Sequence, residues 1–298
     1  MFLEKCWLHY FIIAYARIVT REVFLFKLFF NNFAIMRYMA DYVLARKSRN
    51  IASNAVHVFL NILLGVGAVL ITVFSASPLL GIVLVLVSKW RIFAVRKRYL
   101  LLNLKSNLVD LIVGLSVVIL SYYAGSTLMP VHFLLMVFYV IWLVAIKPLS
   151  SENATLAQSL IAVFLGISAS TIMTSNLNVV VAVLLAFLIG YAASRHVLAQ
   201  SSSKDFTLTT LVCGLFFAEI AFLCHAWSIV YTFGATGIRI PQVAVILTIF
   251  VFMYNYARQM MVRYQDDFRF RHILGPVLFG ILLVSIIVIF FSNPIFNI

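Results

Sequence analysis

Acidic side chains are scarce in this sequence: 9 Asp and Glu stand against 22 Lys and Arg in 298 residues. Few carboxylates are left for paired acid–base chemistry. The aspartate-rich motifs of prenyl and CDP-alcohol transferases are absent. The segments expected on the outer face hold no Asp or Glu, which argues against glycosyl transferases that keep a catalytic carboxylate there.

Cysteine is nearly as rare. Cys6, Cys213 and Cys224 supply no disulfide framework. Cys213 and Cys224 fall on one expected helix, about 16 Å apart at the helical rise, too far to bridge. The 6 histidines are scattered and none stands in an HExxH motif. No Walker lysine loop occurs, and the last apolar run has no lysine for a Schiff base. From these absences no catalytic residue, metal or cofactor is assigned, and the chain reads more as a non-enzyme than an enzyme.

What the sequence does have is apolar length. It is 64% hydrophobic and 10% charged, with mean hydropathy +1.09. A soluble domain could not cover that much apolar surface, so the expected solvent is lipid. Basic residues sit in alternate gaps between the apolar runs: Arg46, Lys47 and Arg49; then Lys89 to Lys105; Lys147; Arg195 and Lys204; and Arg258 to Arg271. The intervening gaps hold Arg239 alone. This is positive-inside patterning, and it orients the chain with the C-terminus outside a cytoplasmic (inner) membrane. Net charge of +13 could point to nucleic acid. Its clustering at span ends points instead to anionic lipid headgroups, and no nucleic-acid partner is expected.

The fold class expected is an all-α, polytopic integral membrane helical bundle. About nine transmembrane helices are predicted: 55–75, 78–97, 107–124, 130–147, 156–175, 178–196, 207–231, 241–261 and 272–292. Residues 46–298 read as a single transmembrane domain. Residues 1–45 carry several charges within short apolar stretches and read as an interfacial or dispensable N-terminal segment. Aromatic residues, among them Trp90, Tyr99 and Trp142 at inner ends, read as interfacial belts.

Two small-residue stripes stand out. Ala162, Gly166, Ser170 and Thr174 repeat every four residues, as do Ala182, Ala186, Gly190 and Ser194. Such faces allow close helix approach, and the two helices are expected to meet along them.

The candidate polar site within the membrane is Glu219, Asp110, Asn61 and Asn255. Lipid cannot satisfy such groups, so they are expected to point into the bundle. Glu219 lies mid-helix and is expected to be protonated or paired. Asp110 lies one turn inside the inner end of its helix, within reach of Lys89 or Arg91. A second candidate surface, Lys89, Arg91, Arg96, Lys97 and Arg98 with Trp90 and Tyr99, reads as a lipid or partner contact.

The function favoured by these features is a non-catalytic membrane anchor or scaffold within a larger envelope assembly, contacting lipids and membrane-protein partners. The alternative is a transporter or lipid-handling permease that uses Glu219. A scaffold would keep Glu219 capped inside the bundle; a transporter would place it beside a mid-membrane cavity.

Overall fold

A computed structural model describes residues 51–94, 96–125, 129–175, 177–199, 206–225, 229–233, 238–264 and 271–291. The 1–45 segment, Arg46–Asn50 and the C-terminal Asn293–Ile298 lie outside the described residues.

The chain is an all-α helical bundle and a multi-pass membrane protein. Among the described residues, seven helices are long and apolar enough to cross a bilayer, or eight if one bent pair counts as a single span. α1 (Ile51–Ser75) ends in a tight reversal. Ala76 takes φ 46°, the left-handed region, and Ser77 caps the next helix by accepting from the Leu79 amide at 3.3 Å. Pro78 occupies the first turn of that helix, where its missing amide hydrogen is not needed.

That helix, α2 (Pro78–Ser88), has only 11 residues. The predicted 78–97 span is therefore not continuous. The charged run from Lys89 interrupts it, giving the four-residue turn α3 (Trp90–Phe93) and then α4 (Lys97–Ser106). α4 and α5 (Leu108–Ala124) form the bent pair, with 62° between them.

α6 (Met129–Ile141) runs directly into a π-turn, Trp142–Ile146. α7 (Glu152–Thr174) is capped by Ser151, whose oxygen accepts from the Ala154 amide at 3.3 Å. α8 (Val179–Leu198) is capped likewise by Asn178. α9 (Phe206–His225) stops short of the predicted 231. β1 (Val230–Phe233) and β2 (Ile238–Pro241) follow as an antiparallel hairpin, with Val230 opposite Pro241 and Phe233 opposite Ile238. Branched and aromatic residues favour a pleated strand there. α10 (Gln242–Tyr264) and α11 (Arg271–Phe290) complete the described chain.

From Val58 onward the described residues form one packed unit. Its hub is α7, the most buried of the candidate spans. One core cluster gathers α1, α2, α5, α6 and α7 around Val113, Val117, Tyr139 and Ala162. The other gathers α7, α8, α9 and α10 around Val163, Ile167, Ile189 and Leu247. Ile112 and Phe164 pack against both. The small stripe of α7 is what makes this central position possible, since small side chains let backbones approach on several sides.

α7 and α8 do meet, and Ser159 donates to the Ala193 carbonyl at 3.1 Å across the contact. The stripes do not simply face each other. A Cβ at Gly166 would meet Ile112 of α5 and Ile189 of α8. A Cβ at Gly190 would collide with Phe217 of α9, so the glycine of α8 serves the α8–α9 contact.

Candidate functional site

The polar centre of the bundle is built on Asp110, in the first turn of α5. Its carboxylate is buried and takes three donors. Lys89, just past α2, forms an ion pair with Oδ2. Lys147, just past the π-turn, approaches the same oxygen at 2.7 Å. The indole Nε1 of Trp142 donates to Oδ1 at 3.1 Å.

The π-turn explains how Trp142 and Lys147 reach one carboxylate. Its signature bond runs from the Lys147 amide to the Trp142 carbonyl at 2.8 Å, five residues back. A wider turn brings positions five apart onto one face, whereas an ordinary helix would separate them by more than a third of a turn. The freed carbonyls after this turn are capped from α7. Gln158 Nε2 donates to Ile146 at 2.7 Å and to Leu149 at 3.0 Å. Gln158 Oε1 in turn lies 2.7 Å from His196 Nε2, which holds the hydrogen in this arrangement. The network thus ties α2, α5, α6, α7 and α8 together at one end.

Two lysines against one carboxylate leave this cluster with a net positive charge when all three are ionised. Burial pulls the pKa of Lys89 below the ordinary lysine value, while the adjacent Asp110 charge pulls it up. The Lys147 side chain is 39% exposed and the Lys89 side chain 8%, so Lys147 is the cluster's link to the outside. Tyr139 lies fully buried near Gly114, and its hydroxyl has no partner among the described residues.

Lys89 therefore leaves the surface set: it is buried and paired to Asp110, not turned to lipid. Trp142 leaves the interfacial belt for the same reason, at 1% exposure. Arg96 and Arg98 are exposed, and the Arg98 guanidinium lies over the Tyr99 ring at 4.6 Å. Arg91 and Lys97 are placed in α3 and α4 by their backbones. Trp90 is 62% exposed beside them.

The remaining polar candidates are not gathered at this centre. Asn61, on α1, is half-buried. Asn255, on α10, is 3% exposed, and its Nδ2 lacks a hydrogen-bond partner among the described residues. Glu219 overturns the expectation made for it. It is exposed on the outer surface of α9, among Leu215, Phe222 and Leu223, which are also exposed. The inward face of α9 carries Thr210, Gly214, Phe217 and Ala218 instead. No hydrogen bond or ion pair reaches Glu219 among the described residues. It is neither capped inside the bundle nor beside an internal polar cavity.

Trp142, Lys147, Gln158 and His196 escaped selection as a site. Lys147 and Trp142 looked like routine span-end residues, and their five-residue spacing has no meaning in an α-helix. No group of three or more His, Cys, Asp or Glu suited to a metal occurs among the described residues. No family model, curated protein or solved structure matches this chain.

Proposed function

We propose that this multi-pass membrane protein is a non-catalytic scaffold of the cytoplasmic membrane, joined in the bilayer plane to another membrane protein through the outer face of α9. The observation that carries this reading is the outward Glu219 on an otherwise apolar surface. A carboxyl group facing hydrocarbon finds no acceptor or donor in lipid tails, so it favours a protein neighbour that supplies one. The occupant is a transmembrane helix of another protein, apolar apart from one basic or amide side chain at the depth of Glu219. The charge pattern supports an orientation with the Asp110 cluster at the cytoplasmic side and the C-terminus outside. In that orientation Arg96 and Arg98 meet anionic headgroups.

The interior supports the same reading. Asp110 is saturated by three donors, and Gln158 and Ser159 are spent on backbone carbonyls. These are the bonds of a fixed bundle. A transport path through Glu219 has no support, because α9 turns that residue away from the interior.

The test is site-specific photocrosslinking in native membranes, with a photoreactive residue at Leu215 or Phe222, and at Ile281 of α11 as a control. Adducts of one discrete mass at the α9 positions, lost in Glu219→Leu, are expected. Adducts that persist unchanged in Glu219→Leu, or that form equally at position 281, defeat the proposal. Adducts at twice the chain mass would assign the face to a second copy and defeat it as well.

A further inference from the structure

We infer that α4 lies along the headgroup layer of one leaflet and binds anionic phospholipid through a stripe formed by Arg98, Leu101, Leu102 and Lys105. These positions are spaced i, i+3, i+4 and i+7, so they share one face of the helix. All four are exposed, Leu101 at 65% and Leu102 at 61%. Leu100, Asn103 and Leu104, with Asn107 at the helix end, form the opposite stripe and are half-buried. Asn103 Nδ2 donates to the Ile92 carbonyl at 3.2 Å, which fastens α4 to α3. The inner face of α4 is thus settled, and its outer face presents two leucines with a cation at each end.

The elbow at Asn107 sets the tilt. α4 and α5 meet at 62°, with only Asn107 between them. The 10 residues of α4 make it about 15 Å long at the helical rise. With α5 near the bilayer normal, that length changes depth by about 7 Å. The headgroup layer on each side of a bilayer is roughly 5–8 Å thick, so it accommodates α4 from end to end. Folded into the hydrocarbon as the first part of a broken span, α4 would carry Arg98 and Lys105 in without a counter-charge, which is strongly unfavourable.

Charge selects the lipid. No acidic residue occurs from Lys89 to Asn107. Lys89 is spent on Asp110, whereas Arg96, Arg98 and Lys105 form no ion pair among the described residues. An anionic phospholipid answers both halves of the stripe at once: its phosphate meets the cations, and its acyl chains receive the leucines. Trp90, 62% exposed on the adjoining α3, is an indole of the kind that sits at headgroup level. The side of the membrane follows from the proposed orientation, whereas the affinity of the stripe for anionic lipid is independent of any partner at α9.

The experiment attaches a nitroxide to the full chain through Leu101→Cys, Leu102→Cys or Ser106→Cys, in a background without the native cysteines. Collision with oxygen and with a water-soluble nickel chelate is then read in liposomes. In phosphatidylglycerol both leucine positions should favour oxygen, at a shallow depth of about 5–10 Å. Position 106, exposed but off the stripe, should favour the chelate. In phosphatidylcholine the leucine labels should shift toward the chelate. Arg98→Gln with Lys105→Gln should produce the same shift in phosphatidylglycerol, each cation counting for about fivefold in binding. Equal oxygen preference in the two lipids overturns the assignment, and that comparison needs no charge variant. An oxygen preference at position 106 matching that at 101 would make α4 part of a broken span and overturn it too. Labels shielded from both reagents would give the stripe to a protein neighbour, with the same result. None of these readings depends on what adjoins Glu219.

Discussion

Asp110 and Glu219 are both carboxyl residues on membrane-spanning helices, and the fold treats them in opposite ways. Asp110 sits at a helix end, where two lysines and an indole converge on it. Glu219 sits on the outer surface of α9, six residues before the helix ends at His225, with no donor among the described residues. The difference lies in what surrounds each one. Near a span end, the chain breaks after α2 and α6 deliver Lys89 and Lys147 to the carboxylate. Around Glu219 the exposed residues of the same helix, Leu215, Phe222 and Leu223, are apolar. One carboxyl group is held by donors inside the bundle, and the other is exposed on its outer surface.

Breaking the first member of this pair should have the largest effect. Asp110→Asn strands two lysines that share its charge. Removing one partner of a buried ion pair costs about 3–5 kcal/mol. Thermal unfolding in detergent should show a large drop in Tm. Replacing the pair together, as Lys89→Met with Asp110→Leu, should recover most of that loss. A wild-type Tm for Asp110→Asn would mean that the ion pairs contribute little.

Packing gives the next effect. Gly190→Leu forces Phe217 away and should lose about 1–3 kcal/mol by overpacking. Gly275→Leu on α11 is the matched control, since a Cβ there meets nothing within 4 Å. Equal Tm shifts for the two would show that the α8–α9 approach is not tight.

A smaller loss is expected for Gln158→Leu. It uncaps the carbonyls after the π-turn and should cost about 1–3 kcal/mol, at the lower end if water reaches them. Tryptophan fluorescence adds a readout, because Trp142 sits on that turn. An unchanged Trp142 environment together with an unchanged Tm would refute the capping role.

The smallest effect belongs to the other half of the comparison. Glu219→Gln should shift the stability of the isolated protein by no more than about 0.5 kcal/mol, as for other surface changes away from packed features. Aggregation of purified Glu219→Gln, or a Tm loss near that of Asp110→Asn, would place Glu219 in the internal framework and erase the contrast.

Much of the frame was legible in residue order. The apolar runs located α1 and α5 to α11 within a few residues, because a bilayer sets helix length. The small stripes announced that α7 and α8 meet, but not that Gly190 would receive Phe217 of α9. The span 78–97 was misread because its apolar run continues past Lys89, and hydropathy does not register that a paired lysine can end a helix. The hairpin between α9 and α10 falls mostly in the gap between the predicted spans 207–231 and 241–261, where hydropathy assigns no structure.

The site was less legible. Pairing of Asp110 with Lys89 followed from proximity to a helix end. The part played by Lys147 and Trp142 did not, because it depends on a π-turn that periodicity cannot reveal. Glu219 exposes the limit most directly. The order of residues says that an acid lies mid-helix and that lipid is a poor solvent for it. It does not say which way the helix is rotated.

The sequence by itself determined the solvent, the helical class, the rough spans and the charge asymmetry, since each follows from local composition and bilayer thickness. Tertiary structure alone decided the rotation of α9, the convergence on Asp110 and the apolar cavity among α8, α9, α10 and α11. Those depend on how neighbouring helices share a limited interior. Phe217 seated against Gly190 settles which side of α9 is inside, and Glu219, two residues further along, goes out.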